Sequence, residues 1–288
     1  MSSNLAPHLP DGSGTGGGVR VWLKSSGYAR RLLAGAEGDP WETPAAYLSF
    51  FAQAHGLLRP DVAVIDVADL YRSWTRRHPD LVADMGARRR VAVPLRKLLD
   101  EDGPRRVLDE VVEAVLAHMR GRSPVVLAFP GPRAWLEEAK AIAGLADLEV
   151  DDDAVEDAAM YLADLLRAVS SHPIAGVLFE EDGAREIDAA ALAAYRPILN
   201  VAEHYRWGVA LRGRFADGLD PAALAEFDAV IAERPFEAPL AGAFGLDVGA
   251  AVWRGEPAPE CAGKSFRFVE IPVEARPETV LDSLDRLR

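Results

Sequence analysis

The stretch from Pro104 to Phe129, PRRVLDEVVEAVLAHMRGRSPVVLAF, sets two patterns side by side. Up to Met119 the apolar positions are Val107, Leu108, Val111, Val112, Val115, Leu116 and Met119. They form a 3.6-residue stripe with charges opposite, which predicts an amphipathic helix. From Pro124 the chain is apolar over six consecutive residues, PVVLAF. Such a run, partly β-branched, predicts a strand buried on both faces, as in a parallel sheet. Periodicity alone does not separate it from buried helix, so the helical stripe before it decides.

The same alternation extends in both directions. Apolar runs occur at Val19–Leu23 (VRVWL), Val62–Val67 (VAVIDV), Gly176–Phe179 (GVLF) and Gly208–Leu211 (GVAL). Three more are Ala229–Ala232 (AVIA), Gly249–Trp253 (GAAVW) and Phe266–Ile271 (FRFVEI). Between them lie helical segments: Asp151 to Ser171 with an acidic start, and a segment capped by Asp188 that runs to Tyr205. Asp220-Pro221 opens another, with proline at a tolerated first-turn position, and Pro277 opens the last. Strand–helix alternation along one chain implies parallel strands joined by right-handed crossovers. Eight strands in about 270 residues predict a single-domain α/β fold, the (β/α)8 TIM barrel, over residues 19–288. An open doubly wound sheet is the alternative.

Two segments fall outside the alternation. Residues 1–18 are rich in Ser, Gly and Pro and predict a flexible tail. Its glycines do not make a phosphate loop, since no strand precedes them and no Gly-Lys-Ser/Thr follows. Residues 69–103 form a long insertion after the second strand, with Tyr71-Arg72-Ser73-Trp74 and the basic run Arg88-Arg89-Arg90. It is expected to serve as a lid or as the contact of a homodimer, unless it is a plain helical excursion.

Composition narrows the function. A net charge of −13 argues against a nucleic-acid partner, which needs a basic footprint. No apolar run approaches a membrane span, and the N-terminus has no secretory pattern, so no membrane partner is expected. Cys261 is the single cysteine, which excludes an intrachain disulfide and fits the cytoplasm. The six histidines make no metal motif, and no Gly-x-Ser-x-Gly elbow is present, so no metal site is expected.

In a barrel of this kind, chemistry sits where strands end and loops begin. Those positions hold Lys24, Ser25 and Ser26 after the first run, Asp66 and then Asp69 after the second, and Arg133 after the third. Glu180, Glu181 and Asp182 follow the fourth, Arg212 and Arg214 the fifth, Glu233 and Arg234 the sixth, and Arg254 the seventh. Asp66 and Glu180 are the candidate catalytic residues, because a carboxylate interrupting or ending an apolar run is costly unless paired or used. Lys24, Arg212, Arg254, Glu181 and Arg234 are the candidate substrate-binding residues, the cations suited to a carboxylate-bearing substrate.

Several segments resemble uroporphyrinogen decarboxylase and cobalamin-independent methionine synthase, members of one superfamily of (β/α)8 barrels. Val21-Trp22-Leu23-Lys24 is similar to the decarboxylase's opening strand, and Val64-Ile65-Asp66 to its second, which ends in a catalytic aspartate. Phe129-Pro130-Gly131-Pro132 with Trp135-Leu136 resembles the third-strand turn, Val177-Leu178-Phe179-Glu180 the fourth strand, and Tyr195-Arg196-Pro197 the approach to the fifth. The resemblance implies a lyase of decarboxylase type, acting on a small anionic substrate without an organic cofactor. It also implies two alternatives: a methyltransferase or demethylase with a folate or corrinoid partner, and a noncatalytic ligand-binding barrel. The departures are specific. The arginines after the first strand are reduced to Lys24 and the more distant Arg30 and Arg31. Glu137 and Glu138 stand near the place of the family's tyrosine. No Gly-His segment follows the eighth strand. These point away from a tetracarboxylate porphyrinogen, and Cys261 alone cannot rebuild a thiol-activating zinc site.

Overall fold

The protein, described from a computed structural model over residues 3–11, 18–35, 38–181, 185–261 and 263–287, is a (β/α)8 barrel. The first half runs β1 (Val21–Lys24), α1 (Ser26–Ala34), α2 (Pro44–Leu58), β2 (Ala63–Asp66), α3 (Val67–Arg77), α4 (Pro79–Gly86), α5 (Ala92–Leu99), α6 (Asp102–Met119) and β3 (Val125–Pro130). There follow α7 (Pro132–Ile142), α8 (Asp152–Arg167), β4 (Gly176–Glu180), α9 (Ala189–Ala193), α10 (Arg196–Tyr205) and β5 (Gly208–Arg212). The chain closes with β6 (Ala229–Ala232), β7 (Ala243–Asp247), α11 (Gly249–Trp253), β8 (Ser265–Glu270) and α12 (Pro277–Leu287).

All strand pairs are parallel, in the order β1-β8-β7-β6-β5-β4-β3-β2. The seam between β1 and β2 is stitched by side chains at both ends. Asp61 Oδ2 accepts from the amides of Arg20 and Val21, each at 2.9 Å. At the far end Asp66 accepts from the Ser26 hydroxyl at 2.7 Å and lies 3.7 Å from the Lys24 ammonium.

Period-two alternation divides the strand residues between two environments. Trp22, Val126, Ala128, Leu178, Ala210, Ala229, Ile231, Ala243, Phe266 and Phe268 form one cluster inside the barrel. Their neighbours Val125, Leu127, Val177, Phe179, Val209, Leu211 and Val230 face the helices and join a separate core. Glycines make room for the largest inward groups: a Cβ on Gly245 would strike Ile231 and Phe266.

Three expectations are corrected. Residues 3–11 do not form a flexible tail. Leu5 is fully buried and belongs, with Leu9, to the interior cluster. Asn4 N donates to Arg206 O at 2.7 Å, Ser3 Oγ to Asp228 Oδ1 at 2.5 Å, and Val19 N to His8 O at 2.7 Å. The apolar pair Leu5 and Leu9 plugs the floor of the barrel. The glycine run 12–17 lies outside the described residues.

The seventh strand is Ala243–Asp247, not GAAVW, which is the short helix α11. Ala243 to Leu246 pair with β6 and Phe244 to Asp247 with β8. The alanines of GAAVW favour helix, and Asp247 Oδ1 accepts from Gly249 N at its start, at 3.1 Å.

The helical segment from Asp188 breaks into α9 and α10 around Arg196-Pro197, and Asp220-Pro221 opens only a 3-10 turn, Pro221–Leu224. Proline lacks the amide that a continuous helix needs at that position. The 69–103 insertion is a helical excursion packed on the outer layer, with Leu70, Tyr71, Met85, Leu95, Leu98 and Leu99 in the core beside α6, α7 and α8. No helix among the described residues is long and apolar enough to cross a membrane.

Candidate active site

Following the inward tracks to their C-terminal ends places a charged residue at the mouth in six of the eight strands. These are Lys24 on β1, Asp66 on β2, Glu180 on β4, Arg212 on β5, Asp247 on β7 and Glu270 on β8. The register makes Lys24 level with Glu270 and Glu180 level with Arg212. Below them lies the apolar interior, and the Arg212 guanidinium stacks 4.5 Å above the Phe268 ring.

Two cations organise four carboxylates. The Lys24 ammonium crosses the mouth to bond Glu180 and lies 3.7 Å from both Asp66 and Glu270. Arg212 reaches Glu180 at 2.8 Å, Glu270 at 2.7 Å and Asp247 at 2.9 Å. Burial alone would lower the pKa of Lys24, but Asp66, Glu180 and Glu270 together outweigh it and hold the ammonium above its ordinary value. Arg212 is raised likewise, burial being outweighed by Glu180, Asp247 and Glu270. Burial would raise the Glu270 carboxyl, yet Lys24 and Arg212 keep it below the usual range. Lys24 is therefore a fixed positive charge and not a free amine nucleophile.

Beside this ring stands a fifth carboxylate. Asp69 lies in the first turn of α3, three residues after Asp66, and contacts Arg72 at 3.2 Å. Arg72 in turn is gripped by both oxygens of Glu138 on α7, at 2.5 and 2.9 Å. Burial, then the Asp66 charge, push the Asp69 carboxyl up to about 6 against the pull of Arg72 and Arg30.

The ring opens into a cavity of about 1270 Å³. Its inner wall includes Lys24, Asp66, Glu180, Arg212, Asp247 and Glu270. Its outer wall comes from the connections after β5 and β6, with Arg214, Phe215, Glu233, Arg234, Phe236 and Glu237.

Lys24, Asp66, Glu180 and Arg212 are thus brought together. Glu181 also lines the cavity but turns aside, accepting from the buried Tyr195 hydroxyl at 2.7 Å and from Ala134 N at 3.2 Å. Arg234 stands at the exposed rim, 3.8 Å from Asp217. Arg254 does not reach the mouth: it ends α11, is exposed, and pairs with Glu256 at 2.8 Å. Its assignment depended on GAAVW being a strand. Asp182 lies outside the described residues.

Asp247 and Glu270 escaped the sequence reading. The first was hidden by the misplaced seventh strand. The second sits inside FRFVEI, where the strand ends one residue before the apolar run does. Among the described residues no group of three His, Cys, Asp or Glu side chains could hold a metal ion. Cys261 precedes β8, at the opposite end of that strand from Glu270.

No protein-family model matches the sequence, and no curated protein matches it.

Proposed function

We propose that the mouth is the active site of a lyase in which positive charge develops on a small polar substrate. The observation that supports this reading is the inner ring, where four carboxylates surround two cations. Fixed charges aimed at a developing charge of opposite sign lower a barrier without reorganising during the reaction. The expected role of Lys24 and Arg212 as anchors for substrate carboxylates has less support, because each already faces three carboxylates of the chain.

Decarboxylation, the reaction the family resemblance implies, suits such a ring when the substrate carries an electron-rich aromatic ring. A proton adds to the ring carbon that bears the carboxylate, giving a cation stabilised by Asp66 and Glu180. The bond to the carboxylate then breaks, its electron pair restores the aromatic ring, and CO2 leaves. The net change replaces CO2 by one proton. Asp66 or Glu180 delivers that proton, and Asp69 is the neighbouring group able to resupply it near pH 6.

The test is a screen of electron-rich aromatic acids for CO2 release. Asp66→Asn keeps a partner for Ser26 and is expected to lower turnover at least about 100-fold, the scale of acid–base contributions, with the fold intact. Undiminished turnover in that variant would sink the assignment. A noncatalytic ligand-binding barrel is the second reading, favoured by the mutual pairing of all six ring charges. Ligands that raise Tm and are recovered unchanged would establish it.

A further inference from the structure

Backbone ladders join every neighbouring pair of strands except β1 and β2: β1 pairs only with β8, and β2 only with β3. Arg267 N donates to Arg20 O and Ile271 N to Lys24 O, each at 2.9 Å, so the even-numbered backbone groups of β1 face β8. Alternation along the strand then turns the amide and carbonyl of Leu23 towards β2. Ala63 N donates to Pro124 O at 2.9 Å, which turns those of Val64 towards β1 in the same way. Leu23 is buried, and no ladder satisfies these facing groups.

Two side chains mark the same place. Trp22, in the middle of β1, belongs to the interior cluster and is wholly buried, yet its indole N–H has no acceptor among the described residues. Val64 lies on β2, two residues before Asp66. Among the described residues it is the one packed against the interior cluster that stays partly exposed, although it does not line the mouth cavity. Buried N–H and C=O groups of native proteins are nearly always paired, with protein or with ordered water. Water occupies such a place where it finds two or more polar partners and room for one sphere of its size. The seam supplies the partners in Leu23, Val64 and the Trp22 indole, and the exposure of Val64 shows the room. Its ends are two carboxylates: the exposed Asp61, held by the Arg20 and Val21 amides, and the buried Asp66, held by Ser26.

We propose that the β1–β2 seam is a water site, a short file of ordered water that hydrogen-bonds Leu23, Val64 and the Trp22 indole and joins Asp61 to Asp66. Its role rests on the reading of Asp66 as a proton donor and deepens it. Beside the route through Asp69, the file returns a proton to Asp66 from the floor while substrate fills the cavity. Each water accepts one proton and passes another on, from Asp61 inward, and the file is left unchanged.

Water-selective NMR cross-relaxation on the deuterated full chain tests the site without any substrate. Cross-peaks with the sign of bound water are expected at the Leu23 and Val64 amides and at the Trp22 indole N–H. None is expected at the backbone amides of Trp22 and Ile65, which face β8 and β3. Val64→Ile adds one methylene to the space and should weaken the three cross-peaks at least about twofold, since the room for water is small. Absence of cross-peaks at Leu23 and Val64, or direct β1–β2 backbone pairing in a crystal structure of the chain, would overturn the proposal. With a substrate that releases CO2, Val64→Ile should also lower turnover at least about tenfold, as expected of an impaired proton transfer. Unchanged turnover in a variant that has lost its cross-peaks would overturn the proton route. Because the cross-peaks need no substrate, failure of the water site is separable from failure of the decarboxylase reading.

Discussion

The floor and the mouth of the barrel are the two ends of the same inward-facing tracks. At the floor, Trp22 and Phe266 meet Leu5 and Leu9 from the N-terminal segment, and the surface they bury is almost wholly apolar. At the mouth, two and four residues further along β1 and β8, the same tracks end in Lys24 and Glu270. The floor is held by area removed from water, a force without direction. The mouth is held by paired charges, whose benefit depends on each partner being present. One end can lose a group and settle. The other cannot lose a charge without stranding its neighbours.

This contrast can be broken most severely at Lys24. Lys24→Met removes the cation shared by Asp66, Glu180 and Glu270 and is expected to cost about 3 kcal/mol, the usual scale for orphaning a buried charge. Urea unfolding measures it, and Lys24→Met/Glu180→Met should recover part of that loss, since the nearest of the three stranded carboxylates is removed as well. A loss below about 1 kcal/mol would show that the ring is more hydrated than its burial indicates.

At the floor, Leu5→Ala should cost about 2.5 kcal/mol through lost burial and a cavity. Ligand binding at the mouth should be unchanged, because the two sites lie at opposite ends of the inward-facing tracks. If the variant altered the mouth instead, the two ends would be coupled through the interior.

Asp69 gives the smallest effect, and one that depends on pH. Its carboxyl is raised in the folded state to about 6 from an ordinary 3.8. The protonated form is therefore favoured by folding. Its contribution is fully present below about pH 4 and is lost as pH rises through 6. Asp69→Asn, which stays uncharged and can still meet Arg72, should stabilise the protein by about 2 kcal/mol above pH 7. It should do nothing at pH 4. Parallel stability–pH curves for the two proteins would show that Asp69 titrates normally.

The sequence displayed much of this, unevenly. Seven of the eight strands are visible as apolar runs because a strand buried on both faces has few polar positions. The remaining one, β7 (Ala243–Asp247), is broken by an inward glycine and closes on an aspartate, so the alanine-rich run after it looked more apolar. Asp66 and Glu180 stood out as carboxylates against apolar runs, and Lys24 and Arg212 as cations that follow such runs. Glu270 did not, because Ile271 after it is also apolar. The buried role of Leu5 and Leu9 could not be read from spacing either, since two leucines in a short proline-containing segment carry no period.

What the sequence alone determined is a parallel strand–helix architecture, with a barrel expected and an open sheet as the alternative, because alternating apolar periods of two kinds admit few ways of burying both. What only the tertiary structure decided is who faces whom at the mouth. Lys24 and Glu180 are 156 positions apart in the chain, and Arg212 and Glu270 are 58 apart. Closure of the sheet brings those ends together, and Coulomb interaction over a few ångströms then fixes which charges are paired.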